Sequence, residues 1–329
     1  MRVLAPAKIN LHLRVGPPRQ DGFHPLLTWM VTAGLFDTLT FVRRPSGGQS
    51  TDEDSTAGPS GQHTDASRRS QFSLSSDHPS LPTDGGNLVV RVGTALADTR
   101  SRKGEAPVLR REGVSAFLIK RIPPGAGLAG GSSDAVATLT ALNRLWKLDW
   151  SIERLAKFAE QFGSDLSFFF HGPSSICTGR GEIVRPIGPP AVKWAVLALP
   201  KFEMPTPAVY RRFDELSLGR EEHLRDEPDF AEWATLAAKD LLPRLVNDLE
   251  PAAFSLRPQL GELRETLGRS LVRPVRMSGS GSSLFTLCDD AAEAQSLADR
   301  AREVGNVDSI TVTLAPRVGE VVEEVRDES

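Results

Sequence analysis

Residues 120–135, Lys-Arg-Ile-Pro-Pro-Gly-Ala-Gly-Leu-Ala-Gly-Gly-Ser-Ser-Asp-Ala, constrain this chain more than any other stretch. Ahead of them, Val114-Ser115-Ala116-Phe117-Leu118-Ile119 alternates and predicts a strand. Pro123-Pro124 ends it, and Gly125, Gly127, Gly130 and Gly131 make a loop with almost no side chains. Ser132-Ser133-Asp134 predicts a helix start. Ala135, Leu139, Leu142 and Trp146 then recur at helical spacing, so one face of that helix is buried. Glycines let backbone N–H groups approach a ligand closely, and the helix dipole favours negative charge at its N-terminus. The stretch therefore reads as a phosphate cradle. A plain flexible connection is the competing reading, and the Ser pair before a well-marked helix counts against it. Gly125-Ala-Gly127-Leu-Ala-Gly130 also has the spacing of a dinucleotide-binding turn, a weak match alone. No Gly-Lys-Ser/Thr follows, so the loop is not a Walker P-loop.

The 329 residues suffice for two domains with a core each. A formal net charge of -3 argues against a general nucleic-acid binder. Cys177 and Cys288 lack disulfide-framework or metal-site spacing and read as small core residues. No apolar run approaches the roughly 20 residues of a membrane span, and the N-terminus has no signal-peptide core. A cytoplasmic protein with no membrane or nucleic-acid partner is expected, and no obligatory protein partner is evident.

Val3 to Val15 predicts a strand. Ile9, Leu11, Leu13 and Val15 share one face; Lys8, Asn10, His12 and Arg14 share the other. The pattern alone favours an ordinary half-exposed polar face. Leu26–Val31 is apolar, Asp37–Val42 reads as a separate strand, and Phe72–Leu74 as a short one. Residues 44–86 are otherwise polar, and roughly 44–70 reads as a disordered surface insertion. A helix starts at Asn87, another follows a Ser151 cap, and 175–186 reads as a hairpin. Asp165, between Gly163 and Gly172, is either a helix cap, which spacing favours, or an acid held beside a ligand. A domain boundary is placed near 190. Beyond it, 231–242, 251–267 and 291–304 are expected helices, and 193–200, 275–277, 283–288 and 310–314 strands, an α+β arrangement. Met277-Ser278-Gly279-Ser280-Gly281-Ser282-Ser283 is a second glycine loop, by itself a tight turn.

Pro123 to Ala135 resembles, position by position, the Pro-x-x-x-Gly-Leu-Gly/Ala-Gly-Ser-Ser-x-Ala motif of the GHMP kinases, named for galactokinase, homoserine kinase, mevalonate kinase and phosphomevalonate kinase. Ala5-Pro6-Ala7-Lys8-Ile9-Asn10-Leu11, Asp21-Gly22-Phe23-His24, Asn87-Leu-Val and Gly163-Ser-Asp165-Leu-Ser-Phe-Phe are similar to further motifs of one branch. That branch phosphorylates the 2-hydroxyl of a cytidine-diphosphate-bearing methylerythritol on the non-mevalonate route to isoprenoid precursors. The resemblance spans nearly the whole chain except residues 44–86. It implies a two-domain α+β fold: a ribosomal protein S5 domain 2-like N-terminal domain (1–190) and a ferredoxin-like C-terminal domain (191–329).

It also implies an ATP-dependent small-molecule kinase using Mg2+. Lys8 and Asp165 take the catalytic positions. Pro123, Pro124, Gly125, Ala126, Gly127, Leu128, Ala129, Gly130, Gly131, Ser132, Ser133 and Asn87 fall at ATP-binding positions. Asn10, Phe23, His24, Thr206 and Tyr210 fall at substrate-binding positions, with Ser132 or Ser133 the nearest side-chain ligand for the metal. Phe23 stands where the branch usually has Tyr, Tyr210 where it usually has Phe, and Ser167 where it usually has Pro. The second glycine loop matches the family's third motif, on the far side of the active site. Three alternatives stay open: another GHMP kinase of mevalonate or homoserine type, a catalytically inactive binding protein of the same fold, and a nucleotide-binding oxidoreductase.

Overall fold

Alternating apolar residues give the first strand, β1 (Arg2–Val15), which pairs antiparallel with β2 (Leu26–Arg44). The computed structural model describes residues 1–44, 71–102, 113–316 and 321–323, so most of the expected insertion at 44–70 lies outside the described residues. Where the sequence suggests two strands between 26 and 42, a single 19-residue strand runs through. The β1–β2 register shifts between Pro6 and Ala7 and between Asn10 and His12, irregularities that re-aim side chains locally. β3 (Phe72–Ser76) follows, then α1 (Leu88–Arg102), which crosses over to β4 (Gly113–Ile119), parallel to β3 and antiparallel to β2. Next come α2 (Gly130–Leu145), α3 (Ile152–Ala159) and α4 (Asp165–His171). The hairpin β5 (Ser174–Thr178) and β6 (Ile183–Pro186) attaches to β2 through β5. Helices and sheet share a core around Phe41, Phe72, Val92, Leu96, Leu139 and Phe168. Each such side chain contributes about 1.5–3 kcal/mol on burial, which makes the sheet a firm platform.

The second half begins at β7 (Trp194–Leu199). It continues through α5 (Thr206–Glu215), α6 (Glu222–Arg225), α7 (Phe230–Trp233) and α8 (Ala238–Leu241), then α9 (Glu250–Leu256), α10 (Pro258–Leu271), β8 (Arg276–Met277) and β9 (Leu284–Cys288). It ends with α11 (Ala291–Gly305), β10 (Asp308–Thr313) and β11 (Val321–Glu323). Four strands form an antiparallel sheet in the order β10-β7-β9-β8, while β11 returns to pair with β1 of the first sheet. A core containing Ile9, Trp29, Leu197, Phe230, Phe285 and Val312 joins the two sheets. Cys177 and Cys288 are both buried and free.

Two expected helices are broken. Between α9 and α10 stands Arg257, immediately before Pro258, with φ -136 and ψ 81; proline's ring pushes the preceding residue out of the helical region. The expected 231–242 helix splits into α7 and α8, and the Ala238 N–H is taken by the Asp289 carboxylate, which starts a fresh helix there. α5 is a helix that the sequence reading did not anticipate; Pro207 sits in its first turn, where no N–H is needed.

Candidate active site

The polar face of β1 is not half-exposed. Lys8, Asn10 and His12 are as buried as the apolar residues between them. The first glycine loop covers one end, the Lys8 N–H donating to the Leu128 carbonyl at 3.0 Å. α7 covers the other, Phe230 and Trp233 standing edge-on to the His12 ring at 5.6 and 5.4 Å. Burial, with help from the Arg14 charge, lowers the His12 pKa to about 3, so its ring is neutral at ordinary pH.

Lys8 Nζ donates to the Asn10 side-chain oxygen and, at 3.1 Å, to the Gly127 carbonyl. Asn10 is aimed by its own Nδ2, which donates to Thr28 Oγ1 at 2.8 Å. The third neighbour of the ammonium is Asp165 Oδ2, 3.9 Å away. Burial pushes the Lys8 pKa down, and the Asp165 charge opposes that. The Cys177 thiol nearby is pushed up to about 12 by burial first and by Asp165 second, so it stays protonated. Asp165 opens α4 behind Ser164, which holds the cap position. Its carboxylate is about a third exposed (35%) and turned to Lys8 and the cavity, the ligand-side alternative of the two that the spacing left open.

α2 starts at Gly130, two residues ahead of the expected Ser132. Ala129 holds the cap position at φ 53, and no side chain hydrogen-bonds to the first turn. Its leading N–H groups are therefore free for an anion. A Cβ on Gly131 would meet nothing within 4 Å, so that position faces open space. Gly127 is different: φ is +76°, and a Cβ there would lie 2.2 Å from the Ser278 carbonyl oxygen of the second glycine loop. The two loops are tied by Ser278 Oγ donating to the Gly127 carbonyl (3.1 Å) and the Ser283 N–H to the Ala126 carbonyl (3.1 Å).

Beneath α2, Lys120 donates to Asp134 Oδ2 at 2.7 Å and to Asp37 Oδ2. Burial works to lower the Lys120 pKa, but the two carboxylates outweigh it and the net shift is upward. Burial pushes Asp134 up to about 8, Lys120 opposing and Asp37 adding to the shift. The ammonium is thus held charged beside the glycine loop at Gly130.

Lys8, Asn10, Lys120, Asp165 and the first glycine loop border one cavity of about 870 Å³. At its far end are Phe23, His24, Thr206, Tyr210, Arg180 and Asp214. Phe23 is 51% exposed, with the Arg180 guanidinium 4.6 Å from its ring centre. His24 Nδ1 contacts the Gly16 carbonyl at 2.9 Å, Nε2 lies 3.3 Å from Asp214, and the ring tilts against Tyr210 at 5.1 Å. Thr206 Oγ1 meets Ser280 Oγ at 2.8 Å.

Of the residues singled out from sequence, Lys8, Asp165, Asn10, Phe23, His24, Thr206 and Tyr210 line this cavity, as do Pro123 to Gly127, Ala129 to Gly131 and Ser132. Three stand back from it. Leu128 is buried in the shared core, Ser133 is fully buried, and Asn87 caps α1, its Oδ1 accepting the Val89 N–H at 2.9 Å. Leu88, next in the chain, reaches the cavity instead. Sequence reasoning missed Lys120, Arg180 and Asp214. For Arg180 a signal existed, the Gly179-Arg-Gly181 turn beside Asp165; for Lys120 and Asp214 there was none beyond their charge. Among the described residues no cluster of three or more His, Cys, Asp or Glu side chains is arranged to hold a metal. The Ser132 hydroxyl and the Asp165 carboxylate are hard oxygen donors lining this cavity. They fit a magnesium ion that takes most of its ligands from phosphate oxygens and water.

Residues 87–173 match the family model for the GHMP kinases N terminal domain, and residues 220–307 the model for GHMP kinases C terminal. This chain is a GHMP kinase. Among its relatives within the family is a 4-diphosphocytidyl-2-C-methyl-D-erythritol kinase of a Nocardioides species, 37% identical over 299 residues, covering 89% of this chain and 90% of the relative. A Synechococcus protein of the same name is 38% identical over 311 residues, with 89% and 91% covered. The crystal structure of a 4-(cytidine 5'-diphospho)-2C-methyl-D-erythritol kinase superposes with a TM-score of 0.70 at 32% identity, covering 96% of this chain and all of that one. A mevalonate kinase structure shares the fold at a TM-score of 0.66 and 10% identity. The family assignment makes ATP the phosphoryl donor. No helix among the described residues is long and apolar enough to cross a membrane.

Proposed function

We propose that this GHMP kinase transfers the terminal phosphoryl group of ATP to the 2-hydroxyl of 4-diphosphocytidyl-2-C-methyl-D-erythritol, within the non-mevalonate route to isoprenoid precursors. The names of the relatives above support this reading. The observation that carries it is the composition of the cavity. A glycine loop, a bare helix N-terminus and Lys120 make one end; an exposed aromatic ring, a histidine and Tyr210 make the other; Lys8 and Asp165 stand between. Mevalonate and homoserine have no base to lay on Phe23, and an inactive binding protein has no need of the Lys8–Asp165 pair.

Phosphoryl transfer needs in-line positioning, charge neutralisation and an acceptor for the hydroxyl proton. Asp165 takes that proton as the acceptor oxygen bonds to phosphorus and the bond to the ADP oxygen breaks. Lys8 stabilises the charge on the transferring group. Asn10 and the Gly127 carbonyl hold its ammonium in place. The loop N–H groups and Lys120 bind the polyphosphate. Ser132 would hold a magnesium ion carried on the nucleotide, and that ion would supply further neutralisation of phosphate charge. Phe23 and Tyr210 stack on the cytosine, and His24, Asn10 and Thr206 hold the polar groups of the acceptor.

The test is ADP release with magnesium-ATP and an acceptor panel. Turnover is expected with the cytidyl acceptor and not with mevalonate or homoserine. Asp165→Asn should lower kcat by about a hundredfold to ten-thousandfold, with the fold retained as checked by a cooperative melting transition. Equal turnover of mevalonate, or wild-type activity in Asp165→Asn, would overturn the assignment.

A further inference from the structure

A second cavity, of about 640 Å³, is linked to the second glycine loop through Asn247. Asn247, which lines the cavity, donates from Nδ2 to the carbonyls of Met277 (2.7 Å) and Gly279 (2.8 Å). Four arginines converge on it: Arg14, Arg220, Arg264 and Arg276. Only Asp248 and Glu250 face them there, and both are engaged. Asp248 accepts from Arg14 at 3.0 Å and from the Val15 N–H at 3.0 Å, with His223 Nδ1 at 3.3 Å. Glu250 accepts the Met277 N–H at 2.9 Å; burial pushes its pKa up, while that bond and the charges of Arg276 and Arg264 oppose the shift without reversing it.

The remaining arginines have more donor capacity than the protein uses. The Nε atoms of Arg264 and Arg276 are cut off from solvent and have no hydrogen-bond partner. An arginine on an open surface satisfies Nε with water; a buried donor left without an acceptor is costly. Arg264 is steadied by the Phe254 ring, 5.5 Å from its guanidinium carbon. Guanidinium groups present forked donors that match phosphate oxygens. We infer that this cavity is a binding site for an anion of the phosphate or diphosphate class, separate from the catalytic cavity. The catalytic cavity is lined by Lys8, Lys120, Arg180 and Arg211; none of the four arginines gathered here reaches it.

The probe is inorganic pyrophosphate, added to the full chain already saturated with ADP so that the catalytic phosphate site is filled. A saturable rise in melting temperature is expected, beyond that produced by chloride at matched ionic strength. Arg264→Gln and Arg220→Gln should each weaken the apparent affinity by about tenfold or more, the usual cost of losing a charge-assisted bond. Arg220 is exposed, so its variant reports even if Arg264→Gln folds poorly. Asp165→Asn should leave the pyrophosphate effect intact. The inference fails if no saturable effect is seen, if the effect disappears as ADP saturates, or if the arginine variants bind pyrophosphate as the parent does.

Discussion

The end of the cavity proposed to take the polyphosphate is shaped chiefly by a glycine-rich backbone; the end proposed to take the acceptor is shaped by side chains. The first end is made by Gly125 to Gly131 and the opening turn of α2. Its geometry depends on positive φ and on the absence of Cβ atoms. The second is made by Phe23 and His24 after β1, Arg180 in the β5–β6 turn, and Thr206, Tyr210 and Asp214 on α5. Its geometry depends on three segments being brought together. A backbone site fails on the addition of one methyl group. A side-chain site tolerates replacement within a class, as Phe for Tyr at position 23 already suggests.

The sharpest way to break this contrast is Gly127→Ala. The new Cβ would sit 2.2 Å from a backbone oxygen at φ +76°, and no rotamer relieves that. Left-handed strain alone costs about 1–3 kcal/mol. With the clash added, kcat/KM for ATP should fall by about a hundredfold or more, measured by steady-state kinetics at saturating acceptor. Phe23→Ala should act on the other end only. Stacking of a base on an aromatic ring is worth about 1–3 kcal/mol, so the KM for the cytidyl acceptor should rise by roughly tenfold while that for ATP stays nearly constant. Phe23→Tyr should be tolerated. Equal effects of Phe23→Ala on both KM values, with a lower melting temperature, would make Phe23 a packing residue and erase the contrast.

The smallest effect on activity concerns His12, on the strand beneath both ends. Its folded pKa, about 3, lies below the unfolded value of 6.5. Above pH 6.5 the ring is neutral in both states and contributes no pH dependence. As the pH falls through that value the unfolded chain binds a proton that the folded chain refuses. Stability is then lost by up to about 1.4 kcal/mol per pH unit, down towards pH 3. His12→Leu should flatten this acid limb relative to wild type, with urea midpoints at pH 7.5, 6 and 5 as the measure, and leave activity at pH 7.5 nearly unchanged.

The contrast also explains what could be read without coordinates. The glycine loop is one contiguous segment, so its strand, loop and helix were legible from spacing. The helix start was misjudged by two residues because Ser132 and Ser133 look like caps, while α2 begins on Ala129 and Gly130, which carry no capping side chain. The burial of Lys8, Asn10 and His12 was not legible. What covers that face arrives from residues 127–128, 230–233 and 278, and periodicity within one strand carries no information about distant covers. Asp165 looked like a cap for the same reason: the cation that makes it a site is 157 positions away, 165 minus 8. Arg257 before Pro258 is a helix breaker legible in the sequence.

The pairing of β11 with β1 has a consequence for how the chain is made. A ribosome delivers β1 well before residues 321–323. Until those residues emerge, the β1 backbone at Arg2 and Val3 lacks its neighbour on that side, although β2 is already present on the other. An uncovered sheet edge is a template for wrong partners. The nascent chain therefore carries an open edge at Arg2 and Val3 until β11 has emerged and paired.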